Sequence, residues 1–224
     1  MYLHGGALEM KVTIVYDDVK KPGSPLRSDH GFSCYIETED EVVLFDTGTN
    51  GDILLHNLAI LKKDVKKIAK IVISHEHYDH NGGLSLLCSH IKNARIYRLQ
   101  MDASNDSSKT HYIIDPVQIA DSIYSTGRLK GNPVDELSLI LMGSKRNVVL
   151  TGCSHPGVES ILHAAKMYGD ITGIIGGFHG FKEFSILKQM DAVYPCHCTR
   201  YKQQIKTLYP QSCHECYVGL TIEI

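Results

Sequence analysis

Residues 74–83, SHEHYDHNGG, place three histidines and an aspartate within six positions and follow them with two glycines. Imidazole and carboxylate are the ordinary ligands of zinc, and also of iron and manganese. In an extended segment residues i and i+2 point the same way, so His75 and His77 face one ion together. Asp79 and His80 lie just beyond, where the chain turns toward Gly82 and Gly83, and are placed to serve a second ion. The competing reading is a polar loop with unrelated histidines. The density of HxHxDH, set directly after an apolar run, argues against it.

A metal site needs ligands from elsewhere in the chain, and the sequence repeats one device. An apolar strand ends in a short motif that carries His, Asp or Cys. VVLFDTG ends at Asp46, NVVLTGCSH brings Cys153 and His155, ITGIIGGFH brings His179, and AVYPCHC brings His197. With KIVISHEHYDH these make five strand ends, which, converging on one edge, would build an active site on loops above a rigid scaffold. For His179 three roles stay open: ligand, substrate-binding or acid–base group, and ordinary hydrogen-bonded histidine. His30 is a weaker candidate for lining the cleft. His4, His56, His90, His111, His163 and His214 show no ligand pattern. Ser154 has no separate base-and-orienter set, so a nucleophilic serine is rejected.

The elements that must position these groups follow from periodicity. Alternation predicts a strand over 11–16 and two more over 32–38 and 41–45. Helical spacing runs over 53–63. The near-continuous apolar run 70–74 fits a strand buried on both faces. Further elements are a helix at 84–90, a strand at 94–98, a polar loop over 100–111 and a hairpin from 137–142 to 147–150. A helix at 158–168, a strand at 171–175, a helix at 184–190, a strand at 192–194 and a last strand in YVGLTIEI complete the chain. Two β-rich halves with covering helices imply a sandwiched α/β architecture. The stretch 98–135 is short for a large lid, which fits a small substrate or a second subunit completing the cleft.

The bulk numbers bound the rest. The chain has 224 residues, 43% of them hydrophobic, and 23 basic against 25 acidic residues. That balance carries no nucleic-acid footprint or membrane patch, so a small-molecule substrate is expected, with the oligomeric state open. No apolar run reaches the ~20 residues of a spanning helix. The start, MYLHGGALEM, lacks a secretory pattern. Seven cysteines is an odd number, which rules out a complete disulfide framework and favours a reduced, cytoplasmic chain. Cys196-His197-Cys198 and Cys213-His214-Glu215-Cys216 admit a structural zinc site, but ordinary thiols are the favoured reading. Tyr78 is expected to pack. The lysines at 62, 63, 66, 67 and 70 are expected to form a solvated helix face opposite Leu58, Leu61, Val65 and Ile68.

Taken in order from about Lys11 to Ile224, the strand-end Asp, the HxHxDH run and the later His and Cys motifs resemble the metallo-β-lactamase superfamily of metal-dependent hydrolases. That resemblance implies one α/β domain over 1–224, with 1–10 as an N-terminal extension, folded as a four-layer αββα sandwich with the metal site at one edge. It implies His75, His77 and His155 at a first metal. It implies Asp79, His80 and His197 at a second, and Asp46 supporting the ligand loops. The chain departs from the general pattern at Cys153, which stands where a carboxylate joins the two metals; the thiol binds an ion or packs. The implied cofactor is one or two divalent ions, zinc first, with iron or manganese as alternatives.

HGFSCYIE, LFDTG, SHEHYDHNGGL, LTGCSHPG, IIGGFH and PCHCT are similar to one branch of that superfamily. The branch includes proteins named as synthases of a dihydropterin–ribofuranosyl-aminobenzene phosphate. Three functions are therefore carried forward. The first is hydrolysis of a small ester, lactone or phosphate-containing molecule by a metal-activated hydroxide, with Asp79 and His179 as catalytic groups. The second is the synthase-type condensation. The third is a non-hydrolytic di-iron redox or metal-sensing role. It is weakened because the di-iron members carry Glu where this chain has His77, and because the flavin domain usual in them is missing.

Overall fold

A computed structural model describes residues 9–99 and 109–224. His4, most of the extension 1–10 and most of the polar stretch 100–111 lie outside the described residues. The first half begins with β1 (Lys11–Tyr16), β2 (Ser33–Glu37) and β3 (Val42–Phe45). Helix α1 (Gly51–Ile60), β4 (Ile68–Val72), α2 (Tyr78–Asn81), α3 (Leu84–His90) and β5 (Arg95–Leu99) follow. Next come β6 (Thr110–Ile113), β7 (Val117–Ala120), β8 (Ile123–Ser125), β9 (Leu139–Met142) and β10 (Asn147–Thr151). The chain closes with α4 (Val158–Ala165), β11 (Gly173–Gly177), β12 (Ala192–Cys196), α5 (Lys202–Leu208) and β13 (Thr221–Glu223).

The strands form two sheets, ordered β13-β1-β2-β3-β4-β5-β6 and β12-β11-β10-β9-β8-β7. Side chains alternate between the faces of a strand, and the burial follows that period. Val43 and Phe45 of β3, Leu139 and Leu141 of β9, and Val148 and Leu150 of β10 meet in the cluster between the sheets. The residues between them point outward. Leu44 and Ile71 pack under Leu54 and Leu58 of α1 and Leu87 of α3. Ile140 and Val149 pack under Ile161 and Leu162 of α4 and Ile205 of α5. Three apolar layers between four layers of structure give the αββα sandwich. The run 70–74 is buried on both faces as expected, with Val72 in the inner layer and Ile71 and Ile73 in an outer one.

Strand direction decides where the site falls. β3, β4, β5 and β6 are parallel, as are β10, β11 and β12. The C-terminal ends of β3 and β4 therefore share one edge of the first sheet, and those of β10, β11 and β12 one edge of the second. Asp46, Ser154, His179 and His197 follow β3, β10, β11 and β12, and all four take positive φ (57°, 61°, 43° and 42°). Non-glycine residues rarely adopt that conformation, and it concentrates where a loop must be aimed.

Several boundaries differ from expectation for local reasons. Helix α1 starts at Gly51, not 53, because the Asn50 side chain accepts hydrogen bonds from Asp52 N and Ile53 N. It stops at Ile60, and Val65–Lys67 is a separate 3-10 turn, so the lysines do not share one helix face. Lys63 pairs with Glu37, and Lys70 with Glu41 at 2.6 Å, both partly buried, which departs from a solvated face. The segments 166–168 and 184–189 are 3-10 turns rather than α-helix. β6, β7, β8 and α5 had no counterpart in the expectation.

Candidate metal centre

The strand ends bring the predicted ligands into two adjoining clusters. Ligand atoms of His75, His77 and His155 lie within 4.8 Å of one another, and so do those of Asp79, His80, Cys153 and His197. The clusters touch: the rings of His75 and His80 are 4.1 Å apart. In the second cluster His80 Nε2 is 3.1 Å from Cys153 Sγ, and His197 Nε2 is 3.1 Å from Asp79 Oδ2.

Outward hydrogen bonds fix which nitrogen faces inward. His80 Nδ1 donates to Asp46 Oδ2 at 2.7 Å, and His197 Nδ1 to Asp18 Oδ1 at 2.7 Å. Ser74 Oγ donates to Asp46 Oδ2 at 2.8 Å, so it accepts from His75 Nδ1 at 2.9 Å. In each ring Nε2 is left facing the cluster, the arrangement in which carboxylates and hydroxyls orient metal-binding imidazoles. His155 Nε2 is buried and has no hydrogen-bond partner among the described residues. An orphaned inward nitrogen amid imidazole, carboxylate and thiol fits a divalent ion.

The electrostatics agree. Burial, with the neighbouring His80, His155 and His77, pushes His75 well below the ordinary imidazole value, so it stays neutral. Burial also works against charge on His197, but hydrogen bonds to Asp18 and Asp79 outweigh it and push it up to about 10. Burial opposes ionisation of Asp79 too, yet the His197 hydrogen bond holds its carboxyl well below the usual range.

Four residues beside the site were not among the predicted site residues: Glu136, Asp17, Asp18 and Cys198. Glu136 is fully buried. Its Oε1 accepts from Thr151 Oγ1 and the backbone N–H of Gly152, Cys153 and Ser154, and its Oε2 from His155 N. One carboxylate thus anchors the loop that carries Cys153 and His155. Asp17 Oδ2 accepts from His197 N at 2.9 Å while Asp18 holds the His197 ring. KVTIVYDD is the same strand-plus-acid device as VVLFDTG, so this pair was legible; Glu136 sits in an unpatterned loop and was not. Cys198, read in the sequence as an ordinary thiol or part of a structural zinc site, has its Sγ 3.3 Å from Cys153 Sγ.

His179 is exposed and shares a cluster with Cys153 and His155. A hydrogen bond to Cys198 raises its pKa. It borders a cavity of about 360 Å³ with Ser154, His155, Phe178, Phe181 and Glu183. His30 lines the second cluster, with Nε2 3.3 Å from Asp79 Oδ2. Ser154 Oγ donates to Gly177 O at 2.7 Å and ties two loops together, consistent with no nucleophilic role. Tyr78 is 68% exposed instead of packed. Cys196 and Cys216 form a disulfide, which departs from the expectation of a fully reduced chain. The bridge between Val193 and Cys213 lays the two cysteine motifs side by side, with Cα atoms of the pair 5.3 Å apart. Among the described residues no helix is long and apolar enough to cross a membrane.

A family model described as "Metallo-beta-lactamase superfamily" matches residues 27–164. The chain is 24% identical to the 7,8-dihydropterin-6-methyl-4-(beta-D-ribofuranosyl)-aminobenzene-5'-phosphate synthase of Methanocaldococcus jannaschii, covering 87% of this chain and 89% of that one. It is 27% identical to an uncharacterized protein of the same organism, covering 79% and 86%. Its fold matches a solved metal-dependent hydrolase of the beta-lactamase superfamily with a TM-score of 0.74, at 26% identity over 96% of this chain and 99% of that one.

Proposed function

The chain belongs to the metallo-beta-lactamase superfamily, and from that premise we propose that it is a metal-dependent hydrolase of a small ester, lactone or phosphate-containing molecule. The observation that carries this reading is the pair of adjoining clusters of candidate ligands, in which outward hydrogen bonds leave the Nε2 atoms of His75, His80 and His197 facing inward. His75, His77 and His155 would hold one divalent ion, and Asp79, His80, Cys153 and His197 a second. When bound, such ions make water nucleophilic near neutral pH and polarise the oxygen under attack. The mixed thiol, imidazole and carboxylate donors favour zinc, with iron next and manganese least.

The chain's own groups do the rest. Asp79 Oδ2, beside both His197 and His30, accepts a hydrogen bond from the attacking water and orients it. His179, exposed at the cavity and held toward its protonated form by Cys198, donates a proton to the leaving group. Phe178 and Phe181 give that cavity an apolar wall, and its volume suits a small substrate. The match to a solved hydrolase of the superfamily supports this reading.

The test is turnover of a panel of p-nitrophenyl phosphates, phosphodiesters, esters and lactones by the zinc-loaded protein and by His77→Ala. Loss of turnover in a folded His77→Ala supports the reading. Full turnover at unchanged metal content rejects it. The Methanocaldococcus jannaschii synthase favours a second reading, condensation of a dihydropterin with a ribofuranosyl-aminobenzene 5′-phosphate. Incubating the chain with those two reactants separates the two: the joined product, with no turnover of the panel, makes the chain a synthase.

A further inference from the structure

Two free thiols meet at the second ligand cluster. Cys153 and Cys198 are both free, and their sulfurs are 3.3 Å apart. Their placement is built into the fold. Cys153 follows β10, Cys198 follows β12, and β11 lies between those strands. Gly177, at the end of β11, makes room for the second sulfur: a Cβ there would sit 2.5 Å from Cys198 Sγ and 2.7 Å from Gly152 O. Cys153 Sγ is at the same time 3.1 Å from His80 Nε2, inside the second ligand cluster. One sulfur therefore has two alternative partners. Cys153 is 2% exposed, whereas Cys198 is only partly buried and is the sulfur a small solute reaches.

We propose that Cys153 and Cys198 are a reversible oxidation site, in which a peroxide joins the two sulfurs as a disulfide and so withdraws Cys153 from the second ligand cluster, releasing the ion held there. Cys198 attacks one peroxide oxygen, the O–O bond breaks, and a sulfenic acid and one water result. Cys153 then attacks that sulfur, the S–O bond breaks, and the disulfide and a second water result. Two electrons pass to the peroxide; Cys198 supplies one proton, and solvent supplies the other when Cys153 starts as a metal-bound thiolate. The sulfurs must close from 3.3 Å to about 2.05 Å, the length of a disulfide bond. A metal ligand must be thiolate, so disulfide and metal-bound states of Cys153 exclude one another. A thiol reductant restores the site.

This inference rests on Cys153 being a ligand, and the experiment separates the two claims. The zinc-loaded full chain is treated with hydrogen peroxide and desalted, its zinc is measured by mass spectrometry, and it is digested with trypsin without reduction. The expected result is a new link between peptide 147–166 and peptide 189–200, the latter already joined to peptide 207–224 through Cys196 and Cys216. About one equivalent of zinc is lost with it and rebinds after dithiothreitol treatment. Cys198→Ser is expected to keep the parent's zinc and to lose none on oxidation. No link, or a link with full zinc retention, overturns the proposal, as does zinc loss in Cys198→Ser before oxidant is added. Untreated Cys153→Ser tests the ligand reading by itself: a loss of about one equivalent supports it, and parental zinc content rejects it whatever the oxidation shows.

Discussion

Asp46 and His80 meet in a hydrogen bond from which solvent is wholly excluded, Nδ1 donating to Oδ2 at 2.7 Å. The same carboxylate accepts from Ser74 N at 2.7 Å and Ser74 Oγ at 2.8 Å, so it sets the orientation of both His80 and, through Ser74, His75. Asp46→Asn is expected to weaken metal binding by about 10- to 100-fold, the usual effect of removing an orienting partner. Asp46→Ala further leaves buried donors unpaired, at about 1–3 kcal/mol each. Chelator competition and urea unfolding read the two effects, and unchanged affinity in both variants would show that Asp46 does not position the ligands.

Glu136 is predicted to matter more for the fold than any metal ligand. Its carboxylate accepts four backbone N–H groups and one hydroxyl in the buried turn 151–155. Glu136→Ala strands those donors and is expected to cost at least about 3 kcal/mol. Denaturant unfolding of the metal-free protein measures it without interference from ligand loss. A cost under about 1 kcal/mol would mean that the turn finds other acceptors.

Metal uptake is predicted to release a proton from His197. In the metal-free protein Asp18 and Asp79 raise this imidazole from its ordinary 6.5 to about 10, so it is protonated at pH 7 and must lose the proton to bind an ion. Affinity therefore rises with pH across the neutral range. The sign for stability is opposite. The metal-free protein has the full benefit of this raised group below pH 6.5 and loses it as pH climbs through about 10. Calorimetric titration in two buffers of different ionisation enthalpy tests the release, and identical heats in both would refute it.

Gly82 and Gly180 are predicted to behave as opposites. A Cβ on Gly82 would lie 2.3 Å from Thr49 O and 2.7 Å from Tyr78 O, both backbone atoms, whereas one on Gly180 meets nothing within 4 Å. Gly82→Ala is expected to displace the turn that carries Asp79 and His80, costing at least about 1–3 kcal/mol and lowering metal content. Gly180→Ala should stay within about 0.5 kcal/mol of the parent. Thermal melting and metal analysis of the two variants side by side decide it.

The sequence made this site legible where chemistry and periodicity coincide. KIVISHEHYDH shows an apolar strand and its candidate ligands in one run, and the structure has the strand with those residues clustered at its end. The later strand ends carry only one to three His or Cys residues apiece, yet the repeated device pointed to Cys153, His155, His179 and His197, which the structure brings to one edge. The repeat extends to Asp17 and Asp18, which follow β1 in the same manner, and overlooking it hid the partner of His197. The rest had no local signal. β8 has three residues and β7 only two buried ones, too few to show a period. α5 buries Ile205 alone, so it carries no apolar stripe. Glu136 acts across 15 to 19 positions of chain, and its partners are backbone atoms, which a sequence does not display.

Both ligand clusters straddle the sandwich. His75, His77, Asp79 and His80 hang from the first sheet, and Cys153, His155 and His197 from the second. Neither sheet alone owns a complete cluster, so an ion bound there acts as a rivet through the two halves of the molecule. With an ion bound, each half would be held in place partly by the chemical potential of free metal in the surrounding medium, and the cohesion of the fold would become a property that the medium sets.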